Sequence, residues 1–184
     1  MLVASQEQQL PVREARDGHP EAWDALLARY RLPLYAYVFE LVHHEQTSLD
    51  IVQETFIAAA RHIGRLQQDE KFGSWLFSIA HQKCVQLWRR GRKDEVSIDP
   101  QDEQLPGLDP APDELLIRKE QEEGFMKLLE KLSAPHRSVL LLHFMEDFSL
   151  EEIAQITGNQ IGTVKSRLHY ARKTLRKLLG ERKI

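Results

Sequence analysis

The residues of this sequence best suited to chemistry are cations set at helical spacing. Lys165, Ser166, His169, Arg172, Lys173 and Arg176 fall on one side of a stretch whose other side is Val164, Leu168, Ala171, Leu175 and Leu178. Such a face can enter a DNA major groove: its first residues reach base edges and the later cations meet phosphates. Just ahead, Ser149-Leu150-Glu151-Glu152 has the spacing of a capping box, in which the Ser hydroxyl serves an orphan N–H and the Glu reaches back. The short helix it opens, with Ile153, Ala154 and Ile156, should stop at Gly158, and a new helix should start near Gln160. A capped short helix, a glycine turn and a longer basic helix make a helix-turn-helix pattern.

A second basic block lies upstream. Between Arg61 and Lys93 the positive residues are Arg61, Arg65, Lys71, Lys83, Arg89, Arg90, Arg92 and Lys93, against Asp69 and Glu70. Phe72, Trp75 and Trp88 are interleaved with them. Phe72 and Trp75 are expected in a core, whereas Trp88, beside the Arg89-Arg90 pair, has two open readings: stacking on a base or packing inward. From Asp94 to Glu114 there are eight acids and no Lys or Arg. Two basic blocks therefore flank an acidic one, although the net charge is only −3. That layout suggests two contacts with one polyanion; the plain alternative is solvated helix faces.

Metal chemistry is poorly served. Glu40-Leu41-Val42-His43 has the Glu-x-x-His spacing of di-iron helical bundles, but such a site needs a second copy and two further Glu residues. His81 and Cys84 lie one helical turn apart, and two ligands do not close a zinc site. No metal or cofactor is expected.

The elements that must position these residues read as helices throughout. Leu and Ala dominate the apolar residues. Pro20 suits the first turn of a helix, with Gly18 or His19 just outside. Trp23, Leu26, Leu27, Tyr30, Leu34, Tyr37, Val38 and Leu41 follow at three- and four-residue steps, and Pro33 is expected to kink or split this helix. Thr47-Ser48-Leu49-Asp50 reads as the N-cap of a second helix with Leu49, Val52, Phe56, Ala59 and Ile63 inward and Gly64 as its stop. Arg65 to Phe72 should be a loop. A third helix carries Trp75, Leu76, Ile79, Ala80 and Leu87 and is expected to end at Gly91. Further on, helices are expected over Leu115–Leu132 and Val139–Phe144, ahead of the helix-turn-helix.

The segment KDEVSIDPQDEQLPGLDPAPDE, with four prolines and few large apolar residues, cannot bury a core. The fold class is therefore all-α: two small helical bundles, over 1–90 and 113–184, on a flexible acidic linker over 91–112. A chain of 184 residues has room for two such modules. No apolar run reaches the length of a membrane span, so no membrane insertion is expected, and no signal peptide is read at the start. The single cysteine excludes an internal disulfide and fits the reducing cytoplasm.

The segment SLEEIAQITGNQIGTVKSRLHYARKTLRKLL resembles the promoter-reading end of bacterial RNA polymerase sigma factors, and LEKLSAPHRSVLLLHFMEDFSLEEIA resembles the start of that module. Upstream, LDIVQETFIAAARHI resembles the sigma helix that grips the polymerase clamp, and FGSWLFSIAHQKCVQLWRR resembles the helix that meets the minus-ten element. Both modules stand in the family's order, without the middle domain of larger sigma factors. The resemblance is thus to the extracytoplasmic-function (ECF) group, and it covers all but the first ten or so residues.

The resemblance implies a non-catalytic subunit that binds core RNA polymerase, through the clamp of the beta-prime subunit and the flap of the beta subunit. It also implies promoter DNA and an anti-sigma protein as partners. Asp50, Gln53 and Glu54 would face the clamp. Arg61, Arg65, Lys71, Gln82, Lys83, Gln86, Trp88, Arg89 and Arg90 would serve the minus-ten element, where a base of the non-template strand is flipped into the Arg65–Phe72 loop. Gln82 and Gln86 stand where the family commonly has Asn and Asp, which bears on the minus-ten preference and not on the role. The motif GTVKSRLHYAR adds Thr163 and Arg167 to Lys165, Ser166, His169, Arg172, Lys173 and Arg176 as minus-thirty-five contacts. The acidic linker has two readings: it occupies a basic polymerase channel, or it is a solvated tether. Two other functions remain on the sequence alone: a helix-turn-helix regulator acting without polymerase, and a protein-interaction adaptor, against which the basic reading face argues.

Overall fold

The computed structural model describes residues 10–94 and 128–181. Among them there is no strand. The upstream bundle consists of α1 (Val12–Arg16), α2 (Pro20–Val42), α3 (Glu45–His62) and α4 (Phe72–Asp94). The downstream one consists of a helical turn at 128–130, then α5 (Ala134–Met145), α6 (Leu150–Thr157) and α7 (Ile161–Glu181). The expected acidic linker and the greater part of the expected Leu115–Leu132 helix lie outside the described residues.

Pro20 opens α2 as its composition suggests, with His19 extended at the N-cap. Pro33 does not split this helix, which runs unbroken to Val42. An internal proline costs about 3 kcal/mol or more. Leu26, Tyr30, Leu34, Tyr37, Val38 and Leu41 are all buried along the same stripe and offset that cost. His43 then takes a left-handed conformation (φ 53°), its N–H bonded to the Phe39 carbonyl.

The next helix begins earlier than expected. Its N-cap is His44, whose Nδ1 accepts the Thr47 N–H at 3.2 Å, so Thr47 and Ser48 are already inside α3. The buried face is rotated accordingly. Ser48, Ile51, Val52, Thr55, Phe56 and Ala59 point inward, and Leu49 is 46 % exposed. The two buried hydroxyls are satisfied on the helix itself, Ser48 donating to the His44 carbonyl and Thr55 to that of Ile51. Gly91 does not stop α4, which continues to Asp94. The Val139–Phe144 expectation is met by a longer helix that starts at Ala134, with Pro135 in its first turn.

In the helix-turn-helix the capping box forms in full. Ser149 Oγ accepts the Glu152 N–H at 3.2 Å, and Glu152 Oε2 accepts the Ser149 N–H at 3.0 Å. Gly158 ends α6 at φ 65°, a conformation that favours glycine. Val164, Leu168, Ala171 and Leu175 are buried as the stripe predicts.

The bundles are not apart. α4 packs on α6 and α2 packs on α5, and their apolar residues form one continuous cluster. Phe77 meets Phe148 edge-on, with ring centroids 5.3 Å apart. The hydroxyl of Tyr37 lies 2.8 Å from both His81 Nδ1 and Ser138 Oγ. In the neutral tautomer of His81 that carries its proton on Nε2, Tyr37 donates to Nδ1 and accepts from Ser138. Arg137 donates to His43 Nε2 at 2.7 Å. Burial pushes the Glu40 carboxyl up while the nearby Arg137 opposes this. Glu40 Oε2 and Arg137 Nε remain buried without a hydrogen bond.

Burial, with a smaller contribution from Arg167, pushes His81 down to about 4 from its ordinary 6.5. His81 is therefore neutral when folded at pH 6, whereas the unfolded chain has begun to bind a proton there. Between about pH 6.5 and 4 the unfolded state holds more protons, so stability falls as pH falls through that window, by about 1.4 kcal/mol per unit at most. Urea unfolding at pH 6.5 and 4.5 should show this loss in the parent, and His81→Gln should shrink it by about 2 kcal/mol.

Candidate nucleic-acid interface

The loop between α3 and α4 is built from two single 3-10 turns, Ile63–Arg65 and Asp69–Lys71, joined through an extended Leu66. It is held from outside by α1. Arg16 donates to the Leu66 carbonyl at 3.0 Å and pairs with the Asp69 carboxylate. Trp23 closes the other side of α1 by donating to the Ala15 carbonyl. Phe72, fully buried, anchors the start of α4 between Trp23, Tyr30 and Trp75.

Between this loop and α4 lies an open cavity of about 410 Å³. Arg65, Leu66, Gln67, Gln68 and Lys71 line it from the loop, Ser74, Trp75 and Ser78 from α4, and Gln155 from α6 of the other bundle. The polar rim offers amide and hydroxyl groups to a base edge, and half-buried Trp75 offers an aromatic wall.

The structure brings only part of the expected minus-ten set to this cavity: Arg65 and Lys71 line it. Arg61, Gln82, Gln86, Arg89 and Arg90 are exposed on α3 and α4. Lys83 is bound to Glu54 at 2.7 Å, and the same hydrogen bond holds the Glu54 carboxyl below the ordinary range. Trp88 is half-buried against the core, edge-on to His81 at 6.4 Å, so its packing is at least partly structural. Lys71 donates to Glu152 Oε1 at 3.0 Å.

On α3, Asp50, Gln53 and Glu54 are exposed as expected, and Leu49 and Ile57 stand out beside them. The outer face of this helix is therefore partly apolar. On α7, Lys165, Ser166, His169, Arg172, Lys173 and Arg176 are all exposed, while Thr163 and Arg167 are half-buried. Arg167 is close enough to add to the lowering of the His81 proton affinity. Arg172 lies over the Phe144 ring at 5.1 Å.

Glu40 and His43 face Arg137, and His81 is engaged by Tyr37. Burial pushes the Cys84 thiol up to about 12, so it stays protonated. Among the described residues no three His, Cys, Asp or Glu side chains gather as a metal ion would need. No described helix is long and apolar enough to cross a membrane.

Sequence reasoning missed Arg16, Gln67, Gln68, Ser74, Ser78 and Gln155. A five-residue helix has no periodicity to detect, so Arg16 left no signal. Gln155 reaches the cavity only because the bundles dock.

A helix-turn-helix with an exposed basic face, docked on a helical bundle with further exposed cations, has the features of a DNA-binding helical protein. The family models Sigma-70 region 2 and Sigma-70, region 4 match residues 26–94 and 122–175. The chain is 31% identical to RNA polymerase sigma factor YlaC of Bacillus subtilis, over 86% of this chain and 92% of the relative. It is 26% identical to ECF RNA polymerase sigma factor SigW of the same organism, over 92% and 95%. Among solved structures it is similar to the sigma factor RpoE of Bartonella quintana, in complex with the anti-sigma factor NepR. That match has a TM-score of 0.67 and 27% identity, covering 87% of this chain and 98% of the other. The chain belongs to the RNA polymerase sigma factors, in the ECF group. It is a subunit that joins the polymerase and directs promoter-specific initiation, which sets aside a regulator acting apart from polymerase.

Because Arg16 ties both ends of the loop, Arg16→Ala should loosen the cavity while changing stability by only about 1 kcal/mol, as for a partly exposed ion pair. Selection of minus-ten sequences with variant holoenzyme should show weaker discrimination there, with thermal unfolding nearly unchanged.

Proposed function

We propose that three surfaces of this sigma factor divide the work of initiation. The outer face of α3 docks on the clamp of the beta-prime subunit, with Asp50, Gln53 and Glu54 supplying charge and Leu49 and Ile57 apolar contact. The cavity between the loop and α4 holds a flipped base of the minus-ten non-template strand. Arg61, Arg65, Lys71, Arg89 and Arg90 would meet its phosphates, and Lys83 would join them if it leaves Glu54. Gln82 and Gln86 lie exposed on α4, where they can contribute to sequence preference. The observation that carries this reading is the loop cavity, lined by Arg65 and Lys71 with Trp75 as its wall.

The first turns of α7 would read the minus-thirty-five element in the major groove. Lys165 donates to guanine, and Ser166 and His169 serve neighbouring bases or phosphates. Arg172, Lys173 and Arg176, further along, meet phosphates. Thr163 and Arg167 are half-buried and are better suited to holding the helix than to reading bases. The downstream bundle would also meet the flap of the beta subunit, and the acidic linker would run between the two modules through the polymerase. The protein catalyses nothing itself and works in the cytoplasm, where polymerase is. Its solved neighbour is bound to an anti-sigma factor, which supports a partner of that kind here.

Core binding is tested by Asp50→Lys with Glu54→Lys. Both side chains are exposed, so the helical fold should persist, while capture by core polymerase should weaken at least about tenfold, as for lost charge complementarity at an interface. Unchanged capture would remove α3 from the clamp.

Base reading is tested by selecting a randomised minus-thirty-five element with variant holoenzyme. Lys165→Ala should relax the preferred sequence at one position, at a cost of about 1–3 kcal/mol. Arg176→Ala should weaken all sequences alike and lower the salt dependence. The reverse pattern would mean that α7 docks the other way round.

A further inference from the structure

We infer that Ser74 and Ser78 make the loop cavity selective for a base that carries an exocyclic amino group, and against thymine. This rests on the reading of that cavity as the minus-ten base pocket.

Both serines line the cavity from α4, Ser74 buried and Ser78 half-buried. Both hydroxyl protons are already committed to the backbone of the preceding turn. Ser74 donates to the Lys71 carbonyl at 3.1 Å, and Ser78 to the Trp75 carbonyl at 2.7 Å. A hydroxyl has one proton and two lone pairs, so toward a base each serine is an acceptor unless it gives up its backbone bond. Their polarity is therefore fixed by the helix. The two stand four residues apart, which puts their Cβ atoms about 5–6 Å apart on one face. An exocyclic amino group points its two protons about 120° apart, so at about 2.9 Å their acceptors stand about 5 Å apart. The serine pair thus has both the polarity and the spacing that one amino group requires.

Thymine does not meet this pair. It has a carbonyl oxygen, O4, where cytosine has its amino group, and a carbonyl facing a serine lone pair is repelled. Its one ring N–H has a single proton for two acceptors. In a site built to bond an N–H, the base that lacks it leaves buried polar groups unmet. The other lining side chains do not choose in this way. The amides of Gln67, Gln68 and Gln155 both donate and accept, so they suit any base edge. Arg65 and Lys71 only donate, and every base carries acceptors for them. Trp75 can stack on any base. Among the side chains that line the cavity, the two serines alone have a fixed acceptor polarity.

The test uses holoenzyme and a promoter whose minus-ten region is held open by mismatches, so that changing one base alters no base pair. Randomising the non-template strand there should reveal one position depleted of thymine. At that position cytosine should bind at least about fivefold better than uracil, which exchanges the amino group for a carbonyl at nearly the same size. With Ser74→Ala and Ser78→Ala together, that ratio should fall below about twofold while the other positions keep their preferences. Thermal unfolding should be nearly unchanged, since both hydroxyls bond only to the preceding turn. The absence of a thymine-depleted position, or equal ratios in the parent and the double variant, would overturn the selectivity. Gln67→Ala with Gln68→Ala distinguishes that failure from failure of the pocket. If it reduces the cost of an abasic residue at one minus-ten position, a base does enter the cavity and only the role of the serines falls. If neither double variant changes that cost at any position, no base enters the cavity and both readings fall.

Discussion

The phenol hydroxyl of Tyr37 is buried at the meeting point of three helices, and the docking of the two bundles must satisfy it. A buried hydroxyl left without a partner costs about 1–3 kcal/mol. Tyr37 finds His81 on α4 and Ser138 on α5, one from each bundle. That pair of bonds aligns α5 along α2. Arg137, the neighbour of Ser138, then reaches His43 at the far end of α2. With α5 in place, the turn after it delivers Phe148 to Phe77 and lays α6 along α4. These buried bonds, together with the apolar cluster shared by the two bundles, fix where the helix-turn-helix sits relative to the loop cavity.

Charge is distributed so that some cations are held and others are free to meet DNA. Lys71 and Lys83 each have a carboxylate partner, Glu152 and Glu54. Arg61, Arg65, Arg89 and Arg90 are exposed on the same bundle. Partly exposed pairs of this kind contribute about 0–1 kcal/mol, so a phosphate can replace either carboxylate without a large loss. Glu54 lies on the α3 face read as the clamp contact, so its bond to Lys83 links that face to the DNA-facing side. A protein that must exchange partners gains from contacts that are specific in geometry and weak in net energy.

Much of this was legible in residue types and spacing. The Ser149–Glu152 capping box, the αL Gly158 and the stripe from Val164 to Leu175 are local patterns whose energies are settled within a few residues, and all three form as read. The two sigma modules, in their order, were visible in motifs of similarly local character. Less local expectations moved. The stripe on α3 was rotated because Ser48 and Thr55 can be buried once their hydroxyls bond back to the helix, a cost that apolar patterning assigns wrongly. Pro33 stayed inside α2 because the buried residues around it outweigh a lost hydrogen bond.

The sequence by itself determined the helices, the turn between α6 and α7, and which face of α7 carries its cations, since these depend on interactions between residues three or four apart. Only the tertiary structure decided that Arg16 clasps the loop from fifty residues away, that Arg167 comes close enough to lower the His81 proton affinity, and that Gln155 and Glu152 meet the cavity around Lys71. Those contacts depend on the docking of one bundle on the other. That docking combines a shared apolar cluster with buried polar pairs such as Tyr37 with Ser138, whose pairing across some hundred residues leaves no periodic trace in the chain.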